Sequence, residues 1–501
     1  MASSRDATVE LARCAWVPLE RSTGPAHPRS HRLLGALIGA AAAIGCALAV
    51  SSPAASAASR MPSPSRLMGV PMQARGVVSA ALRLDRRGLS IDPLVQQSEL
   101  SDTDGTNGEE FGEAVAISGH TLVVGTIHYA TVSSNVETGV AYVFTAPASG
   151  WAHARQSAIL KAPRAQSEEA FGRSVAISGN TIVVGAPFRE VGGHPGQGVA
   201  YVFVKPASGW RGTARAVELA GARGRADEAF GESVALSGDA IFVGAPGRKV
   251  SGHAAQGAVD VFALPHPRSA GAPTQQAQLT AADGAANDAL GISVAVSGRT
   301  LVAGADLHRV GSSPGQGAAY VFVKRASRWR SATDAAELSD RSGQPHELFG
   351  RCVAVSHDAI VVGAPDNAGA NPEQGAAYVF AKPRTGWAGS LTQTARLTAS
   401  DASAGDVFGG SLSISGEVIV VGAPGHGTGK SAEQGAAYVF AKPASGWSDA
   451  TETDELAATN ATTGDRFGRA VAVSGATLVV GAPNHETAGH LAQGVVYVFG
   501  S

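Results

Sequence analysis

Short apolar runs separated by turn residues fill most of the chain, in a plan that repeats about every sixty positions. In the second unit, Arg173 to Ser178 and Thr181 to Val184 are predicted strands joined by the turn Gly179-Asn180. A polar loop then leads to a third predicted strand, Gly198 to Phe203, and a weaker fourth strand ends near Leu219. Runs of four to six residues rich in β-branched side chains, without a 3.6-residue period, favour strands over helices.

Each unit opens on Phe-Gly, or once on Leu-Gly, and the openings are evenly spaced. They stand at Phe111, Phe171, Phe230, Leu290, Phe349, Phe408 and Phe467, which gives intervals of 60, 59, 60, 59, 59 and 59 residues. Seven units of four short strands predict an all-β fold, a seven-bladed β-propeller of four-stranded blades. A helical solenoid would need longer runs, and a β-helix uses coils much shorter than sixty residues.

The two ends of the repeat region are expected to complete each other. The seventh unit supplies three strands and stops at Phe499-Gly500-Ser501, so it lacks a fourth. Leu94 to Leu100 ends on Glu-Leu, as the fourth strand Ala216 to Leu219 does. We expect this N-terminal strand to complete the last blade, which closes the ring and removes an open edge. The predicted propeller spans residues 94–501.

The N-terminal segment has the pattern of an export signal. Arg29 and Arg32 precede an apolar run from Leu33 to Val50, and Ala55-Ser56-Ala57 offers a cleavage site. We interpret residues 1–57 as a signal peptide and the Pro-, Ser- and Arg-rich residues 58–93 as a linker. A retained transmembrane anchor is the alternative, and a lipoprotein signal around Cys46 is a weaker one. The expected product is secreted or at the cell surface, without a membrane span after cleavage.

Charge and cysteine content narrow the possible functions. Lys plus Arg number 39 against 41 Asp plus Glu, without a basic stripe, so nucleic acid is not an expected partner. After cleavage, Cys352 is the one remaining cysteine, which excludes an internal disulfide. We interpret it as a small packing residue rather than a nucleophile, because serine stands at its place in other units: Ser174, Ser233, Ser293 and Ser411.

The pairing of Phe-Gly with Gly-Ala-Pro inside each unit resembles the FG-GAP repeats of integrin α-subunit propellers and related bacterial proteins. Gly-Ala-Pro begins at Gly185, Gly244, Gly363, Gly422 and Gly481. The first unit departs with Gly125-Thr126-Ile127 and the fourth with Gly304-Ala305-Asp306. The resemblance covers residues 94 to 501 and implies a seven-bladed propeller that binds other macromolecules.

Such repeats often carry a calcium loop between the first and second strands, and this sequence departs from that pattern. The corresponding turn is as short as Ser118-Gly119-His120, which leaves no room for a cage of oxygen ligands. Asp102, Asp104, Asn107 and Glu109 precede the first blade, and we interpret them as a solvated acidic turn rather than a calcium cage. We therefore predict no metal. We also predict no cofactor, because the phosphate-loop-like segment 425–431 lacks its first glycine and precedes a strand.

Enzymatic function is not expected. The recurring aromatic residues fit blade packing better than sugar-stacking platforms. Six histidines lie in loops of separate units, where we expect surface residues without a shared ligand: His128, His194, His253, His308, His426 and His485. A hydrolase or lyase propeller would bring carboxylates or histidines together at the central channel, and the apolar first strands do not predict such a cluster. A structural surface protein without a specific ligand is the third possibility.

Loop variation predicts where a partner would bind. The turns after the first and third strands are nearly uniform, whereas those after the second and fourth strands differ from unit to unit, which favours the latter face for binding. We predict an exported, non-enzymatic binding or adhesion module that contacts a protein or glycan. The candidate ligand-binding residues are Arg189, His194, Arg248, Lys249, His253, Asp366 and His426.

Overall fold

The computed structural model describes most of the predicted propeller. The described residues are 81–85, 88–92, 94–102, 105, 107–128, 138–210, 215–222, 224–265, 271–427, 432–487 and 489–500. The predicted signal peptide and Asp104 lie outside them. Within the predicted linker, Ala81–Asp85 and Gly88–Asp92 pair as an antiparallel hairpin.

Seven antiparallel sheets form the blades, and in each sheet four strands follow one another as a meander. The first strands of neighbouring blades contact one another all the way round the ring, so they are the innermost strands. The prediction of an all-β propeller of seven four-stranded blades is confirmed.

The strands of blades 1 to 3 are, from first to fourth, Ala114–Ser118, Thr121–Thr126, Val140–Thr145 and Arg155–Leu160; Ser174–Ser178, Thr181–Ala186, Val199–Val204 and Ala216–Leu219; and Val234–Ser237, Ala240–Ala245, Ala258–Ala263 and Thr274–Thr280. Those of blades 4 and 5 are Val294–Ser297, Thr300–Ala305, Ala318–Val323 and Ala336–Leu338; and Cys352–Ser356, Ala359–Ala364, Ala376–Ala381 and Ala395–Leu397. Blade 6 has Ser411–Ser415, Val418–Ala423, Ala436–Ala441 and Asp454–Leu456, and blade 7 has Ala470–Ser474, Thr477–Ala482, Val495–Gly500 and the N-terminal Val95–Leu100.

Short elements follow the third strand in three blades. A 3₁₀ helix, Trp151–His153, lies in blade 1. The two-residue strand Ala332–Thr333 pairs in parallel with the fourth strand of blade 3, and Gly389–Leu391 pairs with that of blade 4. These segments link the outer strands of neighbouring blades.

The hydrophobic core lies between blades, because each central strand buries both of its faces. In Thr181–Ala186, Ile182 and Val184 pack with Val123 of blade 1, whereas Val183 packs with Ile241 of blade 3. This explains the continuous apolar runs in the sequence, which a half-exposed sheet would not need. Complete burial of each such side chain stabilises the fold by about 1.5–3 kcal/mol.

The two glycines of the repeat motif meet at every blade boundary. In blade 7, the Gly468 N–H donates a hydrogen bond of 3.0 Å to the carbonyl of Gly481. The carbonyl of Gly468 lies against Gly422 of blade 6, where an added Cβ would be 2.0 Å from that oxygen. The same approach occurs at all seven boundaries, including those of Gly125 and Gly304, where the rest of Gly-Ala-Pro is altered. The motif is therefore the place where neighbouring backbones pack directly against each other.

The ring closes as the sequence predicts. Val95–Leu100 pairs antiparallel with Val495–Gly500, the third strand of blade 7, with Leu100 opposite Val496. Leu100 is buried in the core cluster between blades 7 and 1, together with Phe111. The chain thus supplies the outer strand of its last blade from its own N-terminal side, and the seventh sheet has no missing strand.

A serine hydroxyl reinforces four of the boundaries. Its Oγ donates to the carbonyl of the next blade's Phe-Gly or Leu-Gly glycine at 2.7 or 2.8 Å, from Ser174, Ser233, Ser293 and Ser411. Cys352 stands at this place in blade 5. Burial raises the pKa of its thiol to about 11, so the sulfur stays protonated and poorly nucleophilic at neutral pH.

Replacing this cysteine by serine is expected to stabilise the protein. The Cys352→Ser hydroxyl would donate to the carbonyl of Gly409 and add about 0.5–1.5 kcal/mol to the free energy of unfolding. The measurement is the chemical-denaturation midpoint beside that of Cys352→Ala, which copies Ala114 and Ala470 at the same place in blades 1 and 7. A serine variant no more stable than the alanine variant would contradict the expected hydrogen bond.

Candidate functional site

The propeller has two faces of different character. Because neighbouring strands are antiparallel, alternate connections fall on opposite faces. One face carries the connections between second and third strands and the connections from one blade to the next. We call it the loop face. The other side, the turn face, carries the first turn of each blade, which is two residues long, as at Gly119-His120 and Gly179-Asn180.

A buried polar pair holds the base of each loop in blades 2 to 7. An acid lies two residues before each Phe or Leu of the motif, and its partner follows twenty positions later in the connection between the second and third strands. In blade 3, Arg248 Nη2 lies 2.8 Å from Glu228 Oε2, and in blade 4, His308 Nδ1 lies 2.9 Å from Asp288 Oδ2. The pairs are Glu169–Arg189, Glu228–Arg248, Asp288–His308, Glu347–Asn367, Asp406–His426 and Asp465–His485.

Three of the predicted ligand-binding residues belong to these buried pairs. Arg189, Arg248 and His426 are buried, and each is held by an acid of its own blade. Arg248 also pairs with Asp260, which replaces the tyrosine found on the third strand of the other blades. All three therefore position loops rather than extend from them.

The interpretation of the loop histidines as surface residues is wrong for His308, His426 and His485. All three are buried, and each faces an acid of its own blade through Nδ1. Each of these histidines follows an acid by twenty positions, and this constant offset is visible in the sequence. The offset alone does not indicate that the two side chains are in contact.

The remaining predicted residues lie at or near the exposed ends of the loops. His194 and His253 close equivalent hairpin tips through bridges to Val191 and Val250, and both are exposed, as is Lys249. Asp366 is half-buried at the base of the blade 5 loop, where burial, and then Glu373, raise the pKa of its carboxyl to about 6. The structure thus brings His194, Lys249 and His253 to the tips of neighbouring blades 2 and 3, and leaves Asp366 in a separate sector.

Charged side chains from several blades meet where the first strands begin, near the axis. Arg173 Nη1 lies 2.7 Å from Glu113 Oε1 of blade 1, and its Nη2 lies 3.1 Å from Glu232 Oε1 of blade 3. Arg469 of blade 7 donates to the second oxygen of Glu113 at 3.1 Å. The charge of Glu232 is the main cause that raises the pKa of Arg173.

This network corrects the expectation that the apolar first strands leave no charged cluster at the channel. These residues come two positions after the motif phenylalanine. Arg173 was the first residue of a predicted strand, but the apolar pattern of that strand did not indicate that charged side chains of different blades meet there. Glu113 and Glu232 both form ion pairs with Arg173, which lies between them on blade 2. The network therefore links blades 1, 2, 3 and 7 near the axis.

Two of the acidic residues before blade 1 are structural rather than solvated. Asp102 and Glu109 are both buried. Asp102 Oδ1 accepts a hydrogen bond of 2.7 Å from Gln493 Nε2, and its Oδ2 accepts one of 3.3 Å from Tyr142. These bonds join the N-terminal segment to blades 7 and 1, so the interpretation of a solvated turn is wrong for Asp102 and Glu109.

The pair Asp465–His485 predicts a pH dependence of stability. The hydrogen bond that His485 donates to Asp465 raises the pKa of His485 above its ordinary 6.5. Burial opposes this shift, and the charges of Asp465, Glu99 and Glu486 add to it. Burial raises the pKa of Asp465, but the hydrogen bonds from His485 and Thr462 outweigh it and leave this pKa below 3.8. The contribution of His485 to the free energy of unfolding is complete below pH 6.5 and is lost as pH rises through its raised folded pKa. The contribution of Asp465 to the free energy of unfolding is present above pH 3.8 and is lost as pH falls through its lowered folded pKa.

His485→Asn, which copies Asn367 of blade 5, is expected to lower the free energy of unfolding by about 1 kcal/mol in weak acid. The difference from wild type should shrink as pH rises above the histidine's folded pKa. Thermal unfolding of both proteins at mildly acidic and mildly alkaline pH measures it. A difference that grew with pH would contradict the assignment.

Comparison with protein families gives a match to the FG-GAP repeat over residues 94–144, 154–203, 273–322, 332–380, 391–440 and 450–499, which is more than half of the chain. Each matched segment begins at or a few residues before the fourth strand of one blade and ends in the third strand of the next, so a sequence repeat spans a blade boundary. Most of blade 3 lies outside the match, and it is there that Asp260 replaces the tyrosine.

A comparison with curated proteins found no match. Among solved structures, the chain is similar to the periplasmic gluconolactonase PpgL of Pseudomonas aeruginosa, at 15% identity and a TM-score of 0.46, over 77% of this chain and 96% of that one.

Proposed function

The chain belongs to the FG-GAP repeat family, and we propose that it is an exported, non-enzymatic binding or adhesion module whose loop face contacts a protein or glycan. The observation that carries this proposal is the contrast within each loop. The bases of the loops are held by the same kind of buried pair in six blades, while the exposed tips differ in sequence. A fixed scaffold with varied tips is the usual arrangement of a binding surface on a repeat protein.

The sector around blades 2 and 3 supports the location of the contact. Lys249, His194 and His253 are exposed there, and Lys249 is replaced by Glu190 at the equivalent position of blade 2. Exposed side chains that differ in charge between equivalent positions serve no shared structural purpose. They provide the specificity that a rigid, complementary interface requires.

Export is supported by the N-terminal pattern, in which Arg29 and Arg32 precede the apolar run, although these residues lie outside the described ones. In the part of the chain that the structure describes, no helix combines the length and apolarity needed to cross a bilayer. The absence of an enzymatic role is supported by the axis network, where Glu113 and Glu232 share Arg173.

Binding is expected to depend on the tips of blades 2 and 3. The full chain, probed against an array of defined glycans and an array of purified surface and secreted proteins, should bind members of one array. Lys249→Glu combined with His253→Ser should weaken that binding at least tenfold, about 1.4 kcal/mol. Both substitutions copy residues of other blades, Glu190 and Ser313, so the fold should tolerate them.

The matched control is His120→Asn on the turn face, which copies Asn180 of blade 2. It should leave binding unchanged. If the turn-face variant lost binding and the loop-face variant kept it, the proposed face would be wrong. A chain that bound no member of either array would favour a structural surface protein.

A further inference from the structure

Two groups of one histidine and two carboxylates stand at equivalent places in blades 4 and 6. In blade 4, Asp283 comes from the connection between blades 3 and 4, His308 from the loop between the second and third strands, and Glu337 from the fourth strand. One ligand atom from each of these side chains lies within 4.8 Å of the other two, and the same holds for Asp401, His426 and Glu455 in blade 6. Small movements of the more exposed carboxylates would bring all three atoms around one ion.

The imidazole of each group is held in the orientation that metal ligation requires. His308 Nδ1 lies 2.9 Å from Asp288 Oδ2, which leaves Nε2 directed at the cluster, 3.6 Å from Asp283 Oδ2. That second distance exceeds a hydrogen bond. His308 is only 6% exposed, and its ring packs edge-on against Tyr320 at 5.8 Å. A carboxylate that accepts a hydrogen bond from the Nδ1–H group fixes the tautomer in which Nε2 has a free lone pair, as in histidine-bound zinc sites.

The aspartate of each group is also positioned by a second bond. Tyr320 donates to Asp283 Oδ1 at 2.9 Å, and Tyr438 donates to Asp401 Oδ1 at 2.9 Å. The other oxygen, Oδ2, faces the histidine in both blades, at 3.6 and 3.4 Å from Nε2. One oxygen is therefore held by the protein, and the other is available to an ion.

The charge of the group favours a cation. Asp283, Asp288 and Glu337 surround a single histidine, so even a protonated imidazole would leave an excess of negative charge. A divalent cation would relieve the repulsion between the carboxylates.

Among the described residues, other blades replace one or more members of the group. Blade 2 has Arg164 and Arg189 at the aspartate and histidine positions, and blade 5 has Asn367 and Arg396 at the histidine and glutamate positions. Blade 7 keeps His485 and Glu99 but has Asn460 in place of the aspartate. There the Asn460 Nδ2 donates to Glu99 Oε2 at 3.2 Å, so an amide proton takes the place that a cation would take.

We propose that blades 4 and 6 each bind one divalent transition-metal ion of the Zn²⁺ class, through Asp283, His308 and Glu337 and through Asp401, His426 and Glu455. One imidazole nitrogen and two carboxylate oxygens are ligands that Zn²⁺ accepts, whereas Ca²⁺ prefers six to eight oxygens. Three protein ligands leave a coordination position open, and it faces solvent because Asp283 and Asp401 are exposed. These sites are unrelated to the calcium loop between first and second strands and do not depend on the partner of the loop face.

The test is the number of Zn²⁺ ions retained by the full chain. The chelator-treated protein would be dialysed to equilibrium against low micromolar Zn²⁺ and its metal content measured by atomic emission. Wild type should retain two ions more than the double variant Asp283→Asn with Asp401→Asn. Each single variant should retain one ion more than the double variant. Because asparagine at this place occurs naturally in blade 7, these variants should fold, which circular dichroism would check.

A gain of binding provides the complementary result. Asn460→Asp should add one further ion, since it gives blade 7 the same three ligands with His485 and Glu99. The proposal is overturned if wild type and the double variant retain equal amounts of Zn²⁺, in which case the histidines carry a proton between two carboxylates instead. Failure of Asn460→Asp to add an ion would overturn the claim that these three side chains suffice.

Discussion

Replacing Gly422 by alanine is expected to destabilise the protein by at least about 3 kcal/mol, or to prevent folding altogether. The added Cβ would lie 2.0 Å from the carbonyl oxygen of Gly468 and 2.3 Å from Ser411 Oγ. The carbonyl belongs to the backbone of the next blade, and Gly468 is held by its own bond to Gly481. Relief of the clash would require the two blades to separate, which opens the core between them.

The control for this substitution is Gly416→Ala in the same blade. Gly416 lies in an exposed turn at φ +60°, where a Cβ would meet nothing within 4 Å. Alanine there should cost about 1 kcal/mol, from backbone strain alone. The unfolding midpoints of the two variants separate packing from strain. Equal losses would contradict the role assigned to the blade boundary.

The second large effect is expected from Phe408→Ala, at about 3–5 kcal/mol. The Phe408 ring is completely buried, with its centroid 5.5 Å from that of Tyr438 and 6.0 Å from that of Phe440. Truncation would leave a cavity at the boundary that the rigid strands around it cannot fill.

Phe408→Leu is the matched comparison, because Leu290 fills this place in blade 4 and is equally buried. It should cost about 1 kcal/mol, since most of the volume is kept. Denaturant unfolding of the wild type and both variants measures the effect. A leucine variant as unstable as the alanine variant would show that the ring contacts, rather than the filled volume, dominate.

The fold was predictable because its determinants repeat within the sequence. Gly422 and Gly468 belong to a motif that recurs at nearly constant spacing, so the seven blades could be counted without a structure. The closing strand was predictable as well, since Leu100 follows a glutamate as Leu219 does. Repetition replaces the long-range information that a single-copy fold would conceal.

The site was less predictable, because its contacts join residues that are far apart in sequence. Glu113 and Arg469 are bound across the closure of the ring, 356 positions apart. Arg248 was a reasonable choice for a surface loop, and its burial follows from Glu228 and Asp260, whose positions only the folded blade reveals. Loop sequences show which connections vary between blades, but they do not distinguish the buried supports of a loop from its exposed tip.

The most direct test of the proposed binding role is an exchange of loop tips. Residues 190–194 of blade 2 and 249–253 of blade 3 would each be replaced by residues 309–313 of blade 4, which have the same length and the same Val–Ser or Val–His bridge. The buried pairs at Arg189 and Arg248 remain, so the thermal unfolding midpoint should not change. We expect the exchanged protein to lose its binding to the glycan or protein array members that wild type binds. Unchanged binding by the folded, exchanged protein would contradict it.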